Sequence, residues 1–334
     1  MPKRTFRTRE GEPLLDIASY SRGGPRETGG RLTPVQLEQI QRTVRRTPEV
    51  VVKVLPRASN DLKAVGKHLD YIGRKGELEL ETDDGECLGG RIGKDLLDDW
   101  DLDIDDVRHQ AALAATKGRM APKLVHKLMV SMPPGTPPDK VLEAVRNFAR
   151  EEFWGQHRYA FVLHTDEAHP HVHLVLKAVN EAGVRLHIKK TTLRRWRSEF
   201  ARNLRLLGVE ANATERAVRG ECRKAWKDGV YRASLRGDSS RTRTRSEGVA
   251  AELLEGSLRV ESGKSTLLAT RREVERGWLA VSEILRGQDQ PELAERIMRF
   301  TKQMPPPKTG KELIAADLTQ RTRDSLANDR SLFR

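Results

Sequence analysis

The sequence predicts an α+β fold, with an antiparallel central sheet and flanking helices followed by a helical C-terminal region. Two observations carry this expectation. Apolar, β-branched runs at residues 49–55, 123–132, 159–164 and 171–176 read as strands, and the last two are joined by residues 165–170, enough for a hairpin but too short for a parallel crossover. Between the strands, and again over residues 249–258, 266–285 and 291–304, apolar residues recur at three and four, as on a helix with one buried face. The implied organisation is a flexible basic arm (1–47), a mixed domain (48–210), an Arg-rich linker or nucleic-acid-contacting segment (211–246), a helical region (247–305) and a polar tail (306–334).

Each element has a local reason. The arm is rich in Arg, Gly and Thr and lacks a sustained period, apart from a short helical stretch over residues 34–46. Glu49-Val50-Val51-Val52-Lys53-Val54-Leu55, bounded by Pro48 and Pro56, is the first strand. Asn60 or Ser59 then caps a helix over residues 61–74, on which Leu62, Val65, Leu69 and Ile72 form one buried stripe. Residues 77–82 alternate as a strand up to a turn at Asp83-Asp84-Gly85, and an acidic helix follows over residues 94–100. After the strand at 123–132, Pro137-Pro138-Asp139 opens a helix carrying Val141, Leu142, Val145, Phe148 and Phe153. The two histidine-bearing strands come next, then a further strand at 184–189 and a helix over 192–207.

Composition narrows the function classes. The net charge is +13 and aromatic residues make up only 5% of the chain. Residues 185–246 hold 18 Lys/Arg against 6 Asp/Glu, whereas residues 77–106 hold 13 acidic residues against Arg91 and Lys94. A basic stretch that dense implies a polyanion partner, most simply nucleic acid; the acidic run reads as a solvated face. No run approaches the ~18 apolar residues of a membrane span, and no apolar stretch follows the basic N-terminus as in a signal peptide. Cys87 and Cys222 lie in unlike contexts without metal-ligand spacing, which suits a reducing cytoplasm. Gly263-Lys264-Ser265-Thr266 imitates the end of a phosphate-binding loop, but Leu258 stands where that loop requires glycine.

Four of the nine histidines fall in the segment His164-Thr165-Asp166-Glu167-Ala168-His169-Pro170-His171-Val172-His173. His171 and His173 leave a strand on one face, and folding the hairpin brings His164 beside them. Three imidazoles that converge in this way are a metal site with positions left open for a substrate. An all-imidazole set suits Zn²⁺ or Mn²⁺ better than Mg²⁺ by softness alone. His169 precedes Pro170 in the turn and is left out of the ligand set.

Tyr71 lies nine residues after Leu62, on the side of its helix opposite the buried stripe, with Lys67, Arg74 and Lys75 as helical neighbours. An exposed hydroxyl among cations is what attack on a phosphodiester needs, although the same spacing suits an ordinary surface tyrosine.

These residues also match a family. His164-x-Asp166-x-x-x-Pro170-His171-x-His173 resembles the third motif of conjugative relaxases, the mobilisation nucleases of the VirD2 type. Leu69-Asp70-Tyr71-Ile72-Gly73-Arg74-Lys75-Gly76 is similar to their first motif, and Val130-Ser131-Met132-Pro133-Pro134-Gly135-Thr136 to their second. Many relatives carry asparagine four residues after the last histidine, where this chain has Lys177. The resemblance spans residues 49–209 and implies a catalytic domain that nicks and rejoins one strand of plasmid DNA at a transfer origin. On that reading Tyr71 is the nucleophile and forms a covalent 5′-phosphotyrosyl intermediate. His164, His171 and His173 hold Mg²⁺ or Mn²⁺, and Asp166 orients His164 through its other ring nitrogen or assists proton removal. Ser131, Lys67, Arg74, Lys75, Lys189 and Lys190 are candidate DNA contacts. The implied partners are single-stranded origin DNA, relaxosome accessory proteins and a type IV coupling protein, and the implied location is the cytoplasm, with export to a recipient cell an open alternative. The rival readings are a rolling-circle replication initiator, whose tyrosine ordinarily follows the histidine cluster, and a non-enzymatic origin-binding protein.

Overall fold

The structure is a computed structural model that describes residues 31–55, 60–90, 92–114, 122–222 and 239–332. These divide into two compact units, one within residues 34–213 and the other formed by residues 31–33 with the described chain from 214 onward.

The first unit is built on a six-stranded sheet of order β1-β4-β6-β5-β2-β3, antiparallel at every pairing. The strands are β1 (Val51–Leu55), β2 (Leu80–Thr82), β3 (Cys87–Leu88), β4 (Val125–Ser131), β5 (Tyr159–His164) and β6 (His171–Lys177). Alternation sorts their side chains between two cores. Leu128, Val130, Phe161, Val172 and Leu174 pack under helices α5 (Pro138–Phe153) and α6 (Lys190–Leu206), where Phe148, Trp196 and Phe200 meet them. Val125, Ala160, Val162 and Val175 face the other way, onto α2 (Leu62–Ile72), α3 (Ile92–Asp99) and α4 (Leu102–Ala114), through Val65, Leu69, Ile72, Leu96 and Trp100. Each large apolar side chain removed from water contributes about 1.5–3 kcal/mol before entropy is charged against it.

The helix α2 begins one residue later than its expected caps, on Asp61, whose carboxylate accepts from the Ala64 N–H at 2.5 Å. Asp70, two residues before its end, accepts from the Gly93 N–H at 3.0 Å at the start of α3, which ties the two helices together.

Several expected boundaries differ. Residues 1–30 and 223–238 lie outside the described part of the chain, so the outer arm and the centre of the linker are not addressed. Residues 34–44, assigned to the arm, form helix α1 (Pro34–Val44), which joins the first unit by burying Ile40 and bonding Gln39 to Asn212 at 2.7 Å. Residues 184–189 are not a strand. Leu186 and Ile188 do pack on the core as their alternation suggested, yet a single bridge, Val179 to Arg185, forms before Lys189 becomes the N-cap of α6. The acidic run also holds a second helix, α4, that was not expected.

In the second unit, α7 (Ser240–Leu254), α8 (Lys264–Arg286), α9 (Pro291–Lys302) and α10 (Gly310–Leu332) follow one another. Trp278 is fully buried against Phe300, their ring centroids 5.4 Å apart, and its Nε1 donates to the Val218 carbonyl at 2.9 Å, so part of the supposed linker is core. The supposed tail is likewise α10, held by a Lys311–Glu252 pair and by Lys264, whose Nζ donates to Glu312 at 2.7 Å and to the Pro307 carbonyl at 2.8 Å. Lys264 is thereby committed to internal partners. No helix among the described residues is long and apolar enough to cross a membrane.

Candidate active site

Strand pairing creates the histidine cluster. His164 closes β5 directly opposite His171, and His173 pairs with Val162. All three project from the face that carries Val162 and Val175, toward α2. Their ring centroids are 4.7–5.4 Å apart, and one ring nitrogen from each lies within 4.8 Å of the others. The rings are buried, His164 at 2% exposure.

Hydrogen bonds fix two of the tautomers. Nε2 of His164 lies 2.7 Å from the Ile72 carbonyl, an acceptor only, so Nε2 carries the proton and Nδ1 the lone pair. Nδ1 of His171 donates in the same way to the His169 carbonyl at 3.3 Å, which leaves Nε2 free to ligate. His173 has a buried Nδ1 with no hydrogen-bond partner among the described residues. Burial pushes His173 down to about 3, with further lowering from the other imidazoles, and it also lowers His171. Two neutral imidazoles, two preset tautomers and an orphaned buried nitrogen fit a divalent cation.

Tyr71 sits at the end of α2 with 57% of its surface exposed. Beyond α2 the chain reverses through consecutive left-handed residues, Arg74 at φ 51° and Lys75 at φ 57°, then Gly76 at φ 102°. Non-glycine residues hold such angles at a cost, and here they turn Arg74 back over the site. Its guanidinium carbon is 5.6 Å from the Tyr71 ring centre, Nη2 is 3.4 Å from Nδ1 of His164, and it pairs with Asp166.

That arrangement bears on one of the two roles expected of Asp166, the orienting of His164. Its carboxylate lies 3.9 Å from Nδ1 of His164, beyond hydrogen-bond reach and on the lone-pair side of the ring. The group that orients His164 through its other nitrogen is the backbone carbonyl of Ile72.

The remaining candidates divide. Ser131 is buried directly across the sheet from His171, on the same face. Lys67 and Lys75 are exposed on either side of Tyr71. Lys189 and Lys190 begin α6, on the opposite face of the sheet from the imidazoles, and are not brought to the cluster. His169 contributes its carbonyl rather than its ring, and Lys177 pairs with Glu181 at 3.3 Å.

Two nearby residues were missed. The His68 ring lies between Tyr71 (6.5 Å, nearly parallel) and His173 (6.3 Å, edge-on), and burial, aided by the charge of Lys127, pushes it down to about 4. Lys127 is buried on β4, on the face it shares with Ser131, and burial pushes it down to about 8. Both were open to inspection: His68 stands three residues before Tyr71 on the helix, and Lys127 shares strand parity with Ser131.

An imidazole cluster that could hold a metal ion thus stands beside an exposed tyrosine on a strongly basic chain. Residues 71–205 match the family model described as relaxase, MobA/VirD2-like, nuclease domain. The chain is also similar to the T-DNA border endonuclease VirD2 of Rhizobium radiobacter, 25% identical over 205 residues, which is 52% of this chain and 43% of that protein. The chain thus spans less than half the length of this curated relative. Together these two matches support a VirD2-type relaxase nuclease domain. A solved structure described as "Molecular Basis of Vancomycin Resistance Transfer in Staphylococcus aureus" aligns at 17% identity and a TM-score of 0.25, over 30% of this chain and 63% of that one, too slight a likeness to bear on the fold.

Proposed function

We propose that this protein nicks and rejoins one strand of DNA at a plasmid transfer origin, through a covalent bond to Tyr71. What supports the reading is the bond from His164 to the carbonyl next to Tyr71, which makes the tyrosine helix and the imidazole cluster one assembly. The Tyr71 hydroxyl oxygen attacks the scissile phosphorus. The Oη–P bond forms as the P–O3′ bond breaks, and the departing 3′ oxygen takes up the proton that the phenol gives up. The 5′ phosphate stays on the tyrosine, so the reverse reaction reseals the strand without a nucleotide.

A divalent cation held by His164, His171 and His173 would polarise a non-bridging phosphate oxygen. Arg74, Lys67 and Lys75 meet the phosphate backbone, and Ser131 contacts the strand beside His171. Asp166 holds Arg74 over the tyrosine and assists removal of the phenolic proton. Accessory proteins of the origin complex and a type IV coupling protein are the further partners this reading implies.

The test is a denaturing gel of the full chain with single-stranded origin DNA and Mn²⁺. A slow covalent adduct that vanishes in Tyr71→Phe and on chelation is expected. Cleaved free DNA that is indifferent to Tyr71→Phe would point to a hydrolytic nuclease, and binding without cleavage to an accessory protein.

A further inference from the structure

On the face of the sheet turned away from the imidazole cluster there is a second feature, a cavity of about 420 Å³. Val54, Leu186, Ile188 and Leu193 give it an apolar lining, and Lys123, Arg185 and His187 line it as well. Among the described lining residues none is acidic. Arg185 is fixed by a 2.7 Å bond from Nη1 to the Lys123 carbonyl. The size lies within the range of small-ligand pockets, and an apolar lining that also holds cations is complementary to a base that carries its own phosphate.

A second observation comes from His126, 7% exposed, which also lines the cavity. Its Nε2 is 3.0 Å from the Leu186 carbonyl and must donate to it, so Nδ1 of the neutral ring is an acceptor. That Nδ1 is buried and has no partner among the described residues. Burial pushes His126 down to about 4, so the ring remains neutral near pH 7. An unsatisfied acceptor in an apolar lining is costly unless a ligand supplies a donor, and the amino edge of a base does so. Lys189 and Lys190, expected as phosphate contacts, follow directly on His187 and Ile188 at this cavity and not at the nicking site.

We propose that this cavity is a second DNA subsite that takes one unstacked base of the single strand, its amino group on Nδ1 of His126 and its flanking phosphates on Lys123 and Arg185. The proposal rests on the nicking reading only for the identity of the polymer. It separates the two tasks of the domain: one face of the sheet carries the chemistry, and the other anchors a flanking stretch of the same strand.

The test uses the full chain in chelator, with fluorescent oligo(dA) of about a dozen nucleotides and an abasic strand of equal length and charge; roughly tenfold tighter binding of oligo(dA) is expected. His126→Phe is expected to bring that ratio close to one without weakening the abasic strand. Lys123→Gln with Arg185→Gln is expected to weaken both strands alike. Leu193→Phe, which fills the cavity from α6, repeats the His126 test should His126→Phe fail to fold. No preference in the wild type, or a preference retained by folded variants, overturns the subsite. The Tyr71 adduct is measured on the same proteins: its absence from the wild type with the base preference intact removes the nicking reading and leaves the subsite standing.

Discussion

Nε2 of His164 donates to the carbonyl of Ile72 at 2.7 Å, so a candidate metal ligand is hydrogen-bonded to the residue that follows the candidate nucleophile. One side chain therefore serves two purposes. His164→Ala should lose Mn²⁺ binding and also leave a buried carbonyl unpaired, at about 1–3 kcal/mol of stability. His173→Ala should weaken Mn²⁺ binding too, but it leaves no carbonyl orphaned. Calorimetric titration and thermal melts on both variants separate the roles, and equal melting points would deny the Ile72 bond its importance.

Tyr71→Phe removes a hydroxyl from a mostly exposed ring, so its melting point should match the wild type within the usual ±0.5 kcal/mol for surface changes. The adduct should be gone. A variant that still forms adduct would place the nucleophile elsewhere.

Asp166→Asn should reduce adduct formation by roughly 10–100-fold while leaving Mn²⁺ affinity nearly unchanged. The reason is geometric: the carboxylate pairs with Arg74 and does not reach either nitrogen of His164. A matching fall in Mn²⁺ affinity would restore the orienting role that the structure gives to Ile72.

Acid should destabilise the metal-free protein. Burial lowers His173 to about 3, His68 and His126 to about 4, and also lowers His157 and His171. Below the ordinary histidine value of ~6.5 the unfolded chain takes up protons that the native rings refuse, so stability falls as pH falls toward the native values. The slope is up to ~1.4 kcal/mol per pH unit for each well-buried ring such as His126 or His173. Melts of chelated protein between about pH 7 and pH 4 should show this decline, and Mn²⁺ affinity should weaken in the same window as protons compete. A flat profile would mean that these rings are already charged when folded.

Gly93→Ala tests how α2 is seated. A Cβ at Gly93 would meet the Gly66 carbonyl at 2.6 Å and Oδ1 of Asp70 at 2.8 Å, both on the helix that carries Tyr71. Overpacking of about 1–3 kcal/mol is expected, with a lower Tm and slower adduct formation. An unchanged Tm would show that α3 can shift without cost.

Local patterns carried much of this site into view. The period of two placed His171 and His173 on one face, and the proline-containing turn returned His164 to them. The period of 3.6 set Tyr71 opposite Leu62. What sequence spacing could not reveal was backbone: the carbonyls of Ile72 and His169 that set two tautomers have no side-chain signature. Lys189 and Lys190 were grouped with the site by charge alone, and the α6 connection carries them to the other face. The helix from Gly310 was read as a tail because its sequence is largely polar, and its partner Glu252 lies far back in the chain.

The three imidazoles occupy ten consecutive positions of a single hairpin, whereas the tyrosine helix joins them across 92 residues, counted from Ile72 to His164. Closing the short loop costs little entropy, and hairpins form in about 1–10 μs, well before distant segments dock. The imidazole cluster can therefore assemble early in folding, ahead of the helix that carries Tyr71. Mn²⁺ present during refolding should accordingly speed the recovery of native structure even in Tyr71→Phe, since the hairpin it stabilises is complete before α2 is in place.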